Sequence, residues 1–307
     1  MKPVLVTGAT GFLGSWLCRI LAGQGERVIA VARRPPPAEG PFRRFGLTEE
    51  PNVRVLERPA LTPDDMAAAD PRAVFHLAGY SQMGEAARDV AGAFEANARG
   101  TWLLLDAIRR AGVAPVTVLA SSDAVYGEGG SVASREDDPP RARNPYALSK
   151  IAAEAAALAF AAGGLPVAIA RIGNVYGPGD PNGARLMPAI VQAVAAGRPP
   201  QLRSAASVRG YLHVRDCIAG LLALASDRTS APGNIVNIVS EKPVSNLDVA
   251  RLALSIAGRT DLEPEIVGTD APSERLSSAG KARELYRWRE TVPLANGLRE
   301  LLEENPA

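Results

Sequence analysis

Cysteine and histidine are almost missing from this chain. Its 307 residues include 2 of each. Cys18 and Cys217 lie far apart in apolar, helix-like stretches and read as buried free thiols, so neither a disulfide framework nor a zinc site is expected. His76 and His213 have no third ligand spaced with them, so no metal is expected and both read as core or near-core imidazoles. An excess of one charge is missing too. Lys plus Arg (34) nearly cancels Asp plus Glu (33), for a formal net charge of +1. That argues against nucleic acid and against an anionic membrane surface as partners. Any anionic ligand has to be held by local groups. Long apolar runs are also lacking. The longest, LAFAAGGLPVAIA, is broken by Gly163, Gly164 and Pro166, which argues against a membrane span. MKPVLVTG enters a strand directly, with no signal-peptide pattern before it. A cytoplasmic protein is the simplest expectation. Aromatic residues make up only 5 %. Trp16, Trp102 and Trp288 fall at helical or near-helical apolar positions, better suited to packing or a subunit contact than to sugar stacking.

What is present is rhythm. The runs VLVTG, RVIAVA, VRVLE, AVFHLAG and VTVLASS are short, apolar and bounded by Gly, Pro or polar residues, as strands are. Helical spacing fills the gaps: Leu13, Leu17, Ile20 and Leu21 in one stretch, then Val90, Phe94, Leu104, Leu105 and Ile108 between about Arg88 and Gly112. Asn144 and Pro145 suit the start of a further helix, and PVAIARIGNVYG gives a sixth strand. Strand–helix alternation predicts an α/β fold, a doubly wound parallel sheet of Rossmann type covered on both faces. Near residue 178 the rhythm changes to shorter elements. The expected division is a dinucleotide-binding unit over 1–177 that carries the catalytic residues, and a smaller substrate-binding lobe over 178–307 with some segments returning to the main unit. RRPPPAEGPFRRFGLTEEP reads as a long Pro-rich surface loop.

TGATGFLG follows the first strand and opens an amphipathic helix. Gly8, Gly11 and Gly14 permit a tight turn, close approach to a pyrophosphate and close helix–sheet packing, with Phe12 and Leu13 at the helix start. A lone glycine triplet is a weak signal; this context strengthens it. A dinucleotide fold usually carries an acidic residue at the end of the second strand to bond the ribose hydroxyls. Here Ala32 is followed by Arg33 and Arg34, which can pair with a 2′-phosphate. The expectation is therefore NADP(H), with NAD(H) the alternative.

Tyr146 and Lys150 stand one helical turn apart in NPYALSK, after a strand ending in Ser121 and Ser122. A free phenol titrates near ~10, so a nearby ammonium is needed to favour phenolate at neutral pH. Tyr146 is the candidate proton donor or acceptor, Lys150 its helper and a ligand for the nicotinamide ribose, and Ser122 a hydrogen-bond partner for the substrate oxygen. Such a set moves a hydride to or from a carbon that bears a hydroxyl.

These residues resemble the extended short-chain dehydrogenases/reductases, the nucleotide-sugar epimerase/dehydratase group. TGATGFLG, HLAG, NARGT, SSDAVYG, NPYALSK, RIGNVYGPG and RGYLHVRD stand in that family's order along most of the chain. The resemblance implies cofactor contacts from Leu77, Ala78 and Gly79 as well as from the glycine loop, Tyr146 and Lys150. It implies substrate contacts from Ser81, Ser122, Asp123, Asn174, Arg209 and Arg275, with Asn174 on the nucleotide diphosphate, Arg209 on a phosphate and Arg275 on the sugar nucleotide. Apolar residues on the helix from about Arg88 to Gly112 (Phe94, Trp102, Leu105) and on the one beginning at Pro145 (Ile151, Leu158, Phe160) cannot all face the sheet, and the resemblance implies that these two helices build a two-fold homodimer. Family members that eliminate water resemble a pattern with Asp then Glu after the catalytic Ser or Thr. Here Ala124 follows Asp123, which disfavours dehydration. ERPALT replaces the family's adenine-contacting Asp. The leading expectation is an NADPH-dependent 4-ketoreductase of a nucleotide sugar; the runner-up is a nucleotide-sugar 4-epimerase with tightly bound NAD. A non-catalytic dinucleotide-binding regulator is disfavoured by the intact Ser122–Tyr146–Lys150 set, and a reductase of some other carbonyl by Asn174 and Arg209.

Overall fold

A computed structural model describes residues 2–129, 132–228, 232–268 and 273–304. The strands in chain order are β1 (Val4–Thr7), β2 (Val28–Ala32), β3 (Val53–Glu57), β4 (Ala73–His76), β5 (Val116–Ser122), β6 (Val167–Ile172), β7 (Asn174–Tyr176), β8 (Gln201–Leu202), β9 (Val208–His213), β10 (Asn234–Ile238), β11 (Pro243–Ser245), β12 (Glu265–Ile266) and β13 (Glu274–Arg275). Seven of them form one parallel sheet in the order β10-β6-β5-β4-β1-β2-β3. This is the doubly wound sheet expected from the alternation.

Period-2 alternation sends each strand's side chains into two cores. Val4 and Val6 of β1 join Val28, Ala30, Phe75 and Val118 on one face. Leu5, Ile29, Val74, Leu119 and Ile169 join the helical residues Ile108 and Ala157 on the other. A fully buried Leu, Ile or Phe stabilises by about 1.5–3 kcal/mol, so these two layers fix the sheet. Because β1 leads to β2 on one side while β4 lies on its other side, a crevice opens at the carboxyl ends of β1 and β4.

Beyond residue 178, β10 returns to the main sheet, while β9 pairs with β7, β11 and β13 in a smaller one. A third core sits there, built from Tyr176, Ile190, Val191, Leu254, Leu298 and Leu301.

Two features depart from the sequence reading. The Pro-rich stretch is pinned rather than loose: Phe42 is fully buried in the helix Pro41–Arg44, and Phe45 meets Trp16 edge to face at 5.3 Å. The helix near 88–112 is interrupted. Asp89 caps a short helix Val90–Phe94, a π turn spans Glu95–Arg99, and α-helix resumes at Gly100–Arg110. Leu105 is buried in the core and Phe160 packs against it, whereas Val90, Phe94, Trp102, Leu148 and Leu158 stay exposed. Cys18 and Cys217 are buried free thiols. No helix among the described residues is long and apolar enough to cross a membrane.

Candidate active site

The glycine loop is shaped by contact. Gly8 has φ +68°, and a Cβ there would lie 2.7 Å from the Ala78 nitrogen. At Gly14 a Cβ would come within 2.2 Å of the Gly8 carbonyl. The helix Phe12–Gly23 starts at Gly11 with no side-chain cap, leaving first-turn N–H groups open to the crevice. Leu77, Ala78 and Gly79 follow β4 and line the same cleft, whose volume is about 1660 Å³. That exceeds an ordinary small-molecule pocket and suits two large ligands. The uncapped amides and close backbone approach fit a dinucleotide pyrophosphate. Arg33 and Arg34 line the rim as exposed side chains.

Ser122 ends β5, and the helix Pro145–Ala162, capped by Asn144, brings Tyr146 and Lys150 against it. Ser122 and Tyr146 are each 8 % exposed and Lys150 7 %. Burial raises the Tyr146 pKa, and the Asp123 charge adds to the rise; the Ser122 hydroxyl beside it and the charges of Arg185 and Arg275 work against it. Lys150 Nζ donates to the Ala120 carbonyl at 2.9 Å, and burial lowers its pKa to about 8. The cations drawing Tyr146 toward phenolate are thus Arg185 and Arg275, while the Lys150 ammonium is turned to the backbone of β5.

The π turn places Asn97 at this site. Its Nδ2 donates to Ser149 Oγ at 2.8 Å, and its buried Oδ1 has no partner. A Cβ on Gly79 would lie 2.1 Å from that oxygen, so glycine is required there. His76 bonds Thr7 at 2.7 Å, and burial lowers its pKa to about 3, leaving a neutral imidazole.

The small sheet supplies the other wall. Arg209 of β9 and Arg275 of β13 are paired in register, hence side by side. Arg209 Nη1 donates to the carbonyls of Ser273 and Val208 at 2.7 and 2.8 Å. Arg275 Nη2 donates to Asn174 Oδ1 at 3.4 Å, and its Nε lies 3.3 Å from Asp123 Oδ2, at ion-pair distance but without an aligned acceptor. Asn174 Nδ2 is another buried donor without a partner. Ser81 meets Arg185, which also pairs with the buried Asp180 at 3.1 Å. Arg185 and Glu128 went unnoticed in the sequence. Neither stands in a motif of its own; only Glu128's place directly after SSDAVYG marks it.

A crevice, a buried Tyr–Lys pair and paired cations are the parts a dinucleotide-dependent oxidoreductase needs. A profile of the NAD dependent epimerase/dehydratase family matches residues 4–239. The chain is 33 % identical to a dTDP-glucose 4,6-dehydratase of Streptomyces griseus, over 83 % of this chain and 78 % of that one. It is 32 % identical to a UDP-glucose 4-epimerase of Streptomyces lividans, over 92 % and 90 %. Among solved structures, MoeE5 in complex with UDP-glucuronic acid and NAD is 29 % identical, covers 98 % of both chains and superposes with a TM-score of 0.83. The chain therefore belongs to the NAD dependent epimerase/dehydratase family, an NAD(P)-dependent group acting on nucleotide sugars.

The NADP(H) expectation is corrected. Several solved structures of the same fold, MoeE5 among them, hold NAD. The physical reason lies in Arg33 and Arg34. Both are exposed at the rim, and two solvated charges on a loop do not by themselves select a 2′-phosphate.

Proposed function

We propose that this protein is an NAD-dependent 4-epimerase of a nucleotide-activated sugar, with residues 1–177 holding the dinucleotide and 178–307 closing over the sugar nucleotide. The observation that carries the reading is the pair Asp123–Ala124. Eliminating water across C5–C6 needs carboxylates free to move protons. Asp123 is buried against Arg275, and Ala124 offers none. The remaining Ser122, Tyr146 and Lys150 suffice to oxidise and re-reduce one carbon. The similarity to MoeE5 with its NAD and UDP-sugar, and to the Streptomyces lividans epimerase, supports the same reading.

The amides at Gly11–Gly14 bind the dinucleotide pyrophosphate, and Lys150 holds the nicotinamide ribose. When bound, NAD would supply hydride-transfer chemistry at C4. Tyr146 takes the proton from the C4 hydroxyl as C4–H leaves as hydride, then gives it back once the ketone presents its other face. Ser122 donates a hydrogen bond to that oxygen, strongest as charge develops on it. Electrons and proton both return, so no exchangeable reductant is consumed. Asn174, Arg209 and Arg275 hold the diphosphate.

Released cofactor and product stereochemistry test this. Purified protein is expected to carry NAD and to convert UDP-glucose or UDP-glucuronic acid to its C4 epimer, seen by proton NMR, with no cofactor added. Release of a 4-keto-6-deoxy product, or no reaction without added reductant, rejects it. We further propose a homodimer through the exposed apolar face formed by Val90, Phe94, Trp102, Leu148 and Leu158. Light scattering is expected to give about twice the 32.1 kDa chain mass; the monomer mass rejects the dimer.

A further inference from the structure

The arginine pair already holds a carboxylate. Glu128 stands between Gly127 (φ 83°) and Gly129 (φ 100°), just past the turn that follows β5. Its Oε1 accepts from Arg275 Nη1 at 3.0 Å and its Oε2 from Arg209 Nη2 at 3.1 Å. One carboxylate spans two guanidiniums, as a phosphate group would.

The three partners are unequally fixed. Arg209 is anchored to two backbone carbonyls and to Ser273 Oγ, and Arg275 is 8 % exposed. Glu128 has a side chain 46 % exposed. Its hydrogen bonds among the described residues are to these two arginines. The weakly held member is therefore the anion. Charge points the same way. Arg209 and Arg275 are balanced by Asp123 and Glu128, so a diphosphate arriving beside Glu128 meets like charge. Beside the pair, Asn174 Nδ2 is a buried donor without a partner, and Arg275 Nε has only the misaligned Asp123 carboxylate at 3.3 Å. Unpaired buried donors cost free energy that an acceptor-rich ligand recovers. A diphosphate has oxygens enough for both arginines and for these donors; a neutral sugar has no charge with which to displace the carboxylate.

We propose that Glu128 is a specificity-determining residue that occupies the arginine pair until a diphosphate displaces it, reserving that pair for substrates carrying this anion. The inference rests on the nucleotide-sugar reading above. Glu128→Gln keeps the shape and removes the charge; Glu128→Ala removes the side chain. Uridine diphosphate and inorganic pyrophosphate are titrated calorimetrically into the holoenzyme and both variants, each first shown to melt as the parent does. Both probes are expected to bind the variants about fivefold more tightly, the scale of one partly exposed ion pair. Adding Arg209→Ala to Glu128→Gln is expected to abolish the gain. Unchanged or weaker binding in both single variants overturns the role of Glu128. If the parent still binds uridine diphosphate in that case, the nucleotide-sugar reading stands; if no form binds either probe, both readings fall.

Discussion

Two charge clusters flank the end of β5, one fully buried and one partly open to the cleft, and they differ in how completely they are satisfied. Behind the strand, Glu154 receives Ser121 Oγ, Arg171 Nε at 3.0 Å and Arg171 Nη2 at 2.8 Å. Arg171 also donates to the Glu136 carbonyl and lies over the Tyr126 ring at 4.8 Å. Neither residue of that pair has an orphaned buried atom. In front, Asp123, Glu128, Arg209 and Arg275 form an equally charged cluster in which Arg275 Nε and the neighbouring Asn174 Nδ2 are unserved. Buried polar groups are normally satisfied. The closed cluster is scaffold, tying the catalytic helix through Glu154 to β5 and β6. The open one keeps hydrogen-bonding capacity that the proposed diphosphate would use.

The sharpest break of the comparison lies in the open side's chemistry. Tyr146→Phe deletes the hydroxyl proposed as the proton relay and breaks no hydrogen bond within either cluster. A loss in turnover of about 10²–10⁴-fold is expected, the usual reach of general acid–base catalysis, with NAD still bound. Near-full turnover on the epimerised sugar would show that another group moves the proton.

Stability tests the closed side. Arg171→Met strands the Glu154 carboxylate in the core, and breaking a buried pair in this way costs about 3–5 kcal/mol. Thermal denaturation is expected to show a clear drop in the midpoint. Replacing both partners with apolar residues is expected to restore much of it, since the pair's worth lies in mutual neutralisation. An unchanged midpoint for Arg171→Met contradicts the scaffold role.

These differences track how much of the protein was legible beforehand. The sheet was, because buried parallel strands are nearly continuous apolar runs and their helices show period. Tyr146, Lys150, Ser122 and the glycine loop sit in contiguous motifs; helix geometry pairs Tyr146 with Lys150, and the carboxyl edge of the parallel sheet gathers the rest. The π turn at Glu95–Arg99 was not legible: its reason is Asn97 reaching Ser149 across 52 residues of chain. Nor was the pinned Pro-rich stretch, where Phe42 and Phe45 find their partners only in the folded protein. Arg185 and Glu128 were hidden for the same cause. The cofactor preference was misread because an arginine's charge is visible in sequence and its solvation is not.

Arg209→Ala sharpens the comparison from the ligand's side. Arg209 is partly exposed and has no buried anion depending on it alone, so the melting midpoint is expected to move little. Affinity for the nucleotide sugar is expected to fall by roughly one to two decades, the range for a charge-assisted hydrogen bond of about 1.5–3 kcal/mol. A large loss of stability with unchanged affinity would exchange the roles of the two clusters.

The smallest effect concerns pH and Lys150, one turn before Glu154 on the same helix. Burial lowers its pKa from the ordinary lysine range to about 8, while the Glu154 charge pulls the other way. The sign follows. Below about 8 the amine carries its proton and can hold the nicotinamide ribose; as pH rises through that value the charge is lost, whereas an unfolded lysine keeps it to beyond 10. NAD affinity is therefore expected to weaken above about pH 8, by no more than about tenfold per unit, the limit for one proton. Lys150→Met should bind NAD more weakly throughout and lack the step. Glu154→Gln should move the step to lower pH, because the neighbouring negative charge is gone. Fluorescence titration of NAD across pH 6–10 in the three proteins measures this. A step that stays in place in Glu154→Gln would show that the closed cluster supports the helix without tuning the lysine.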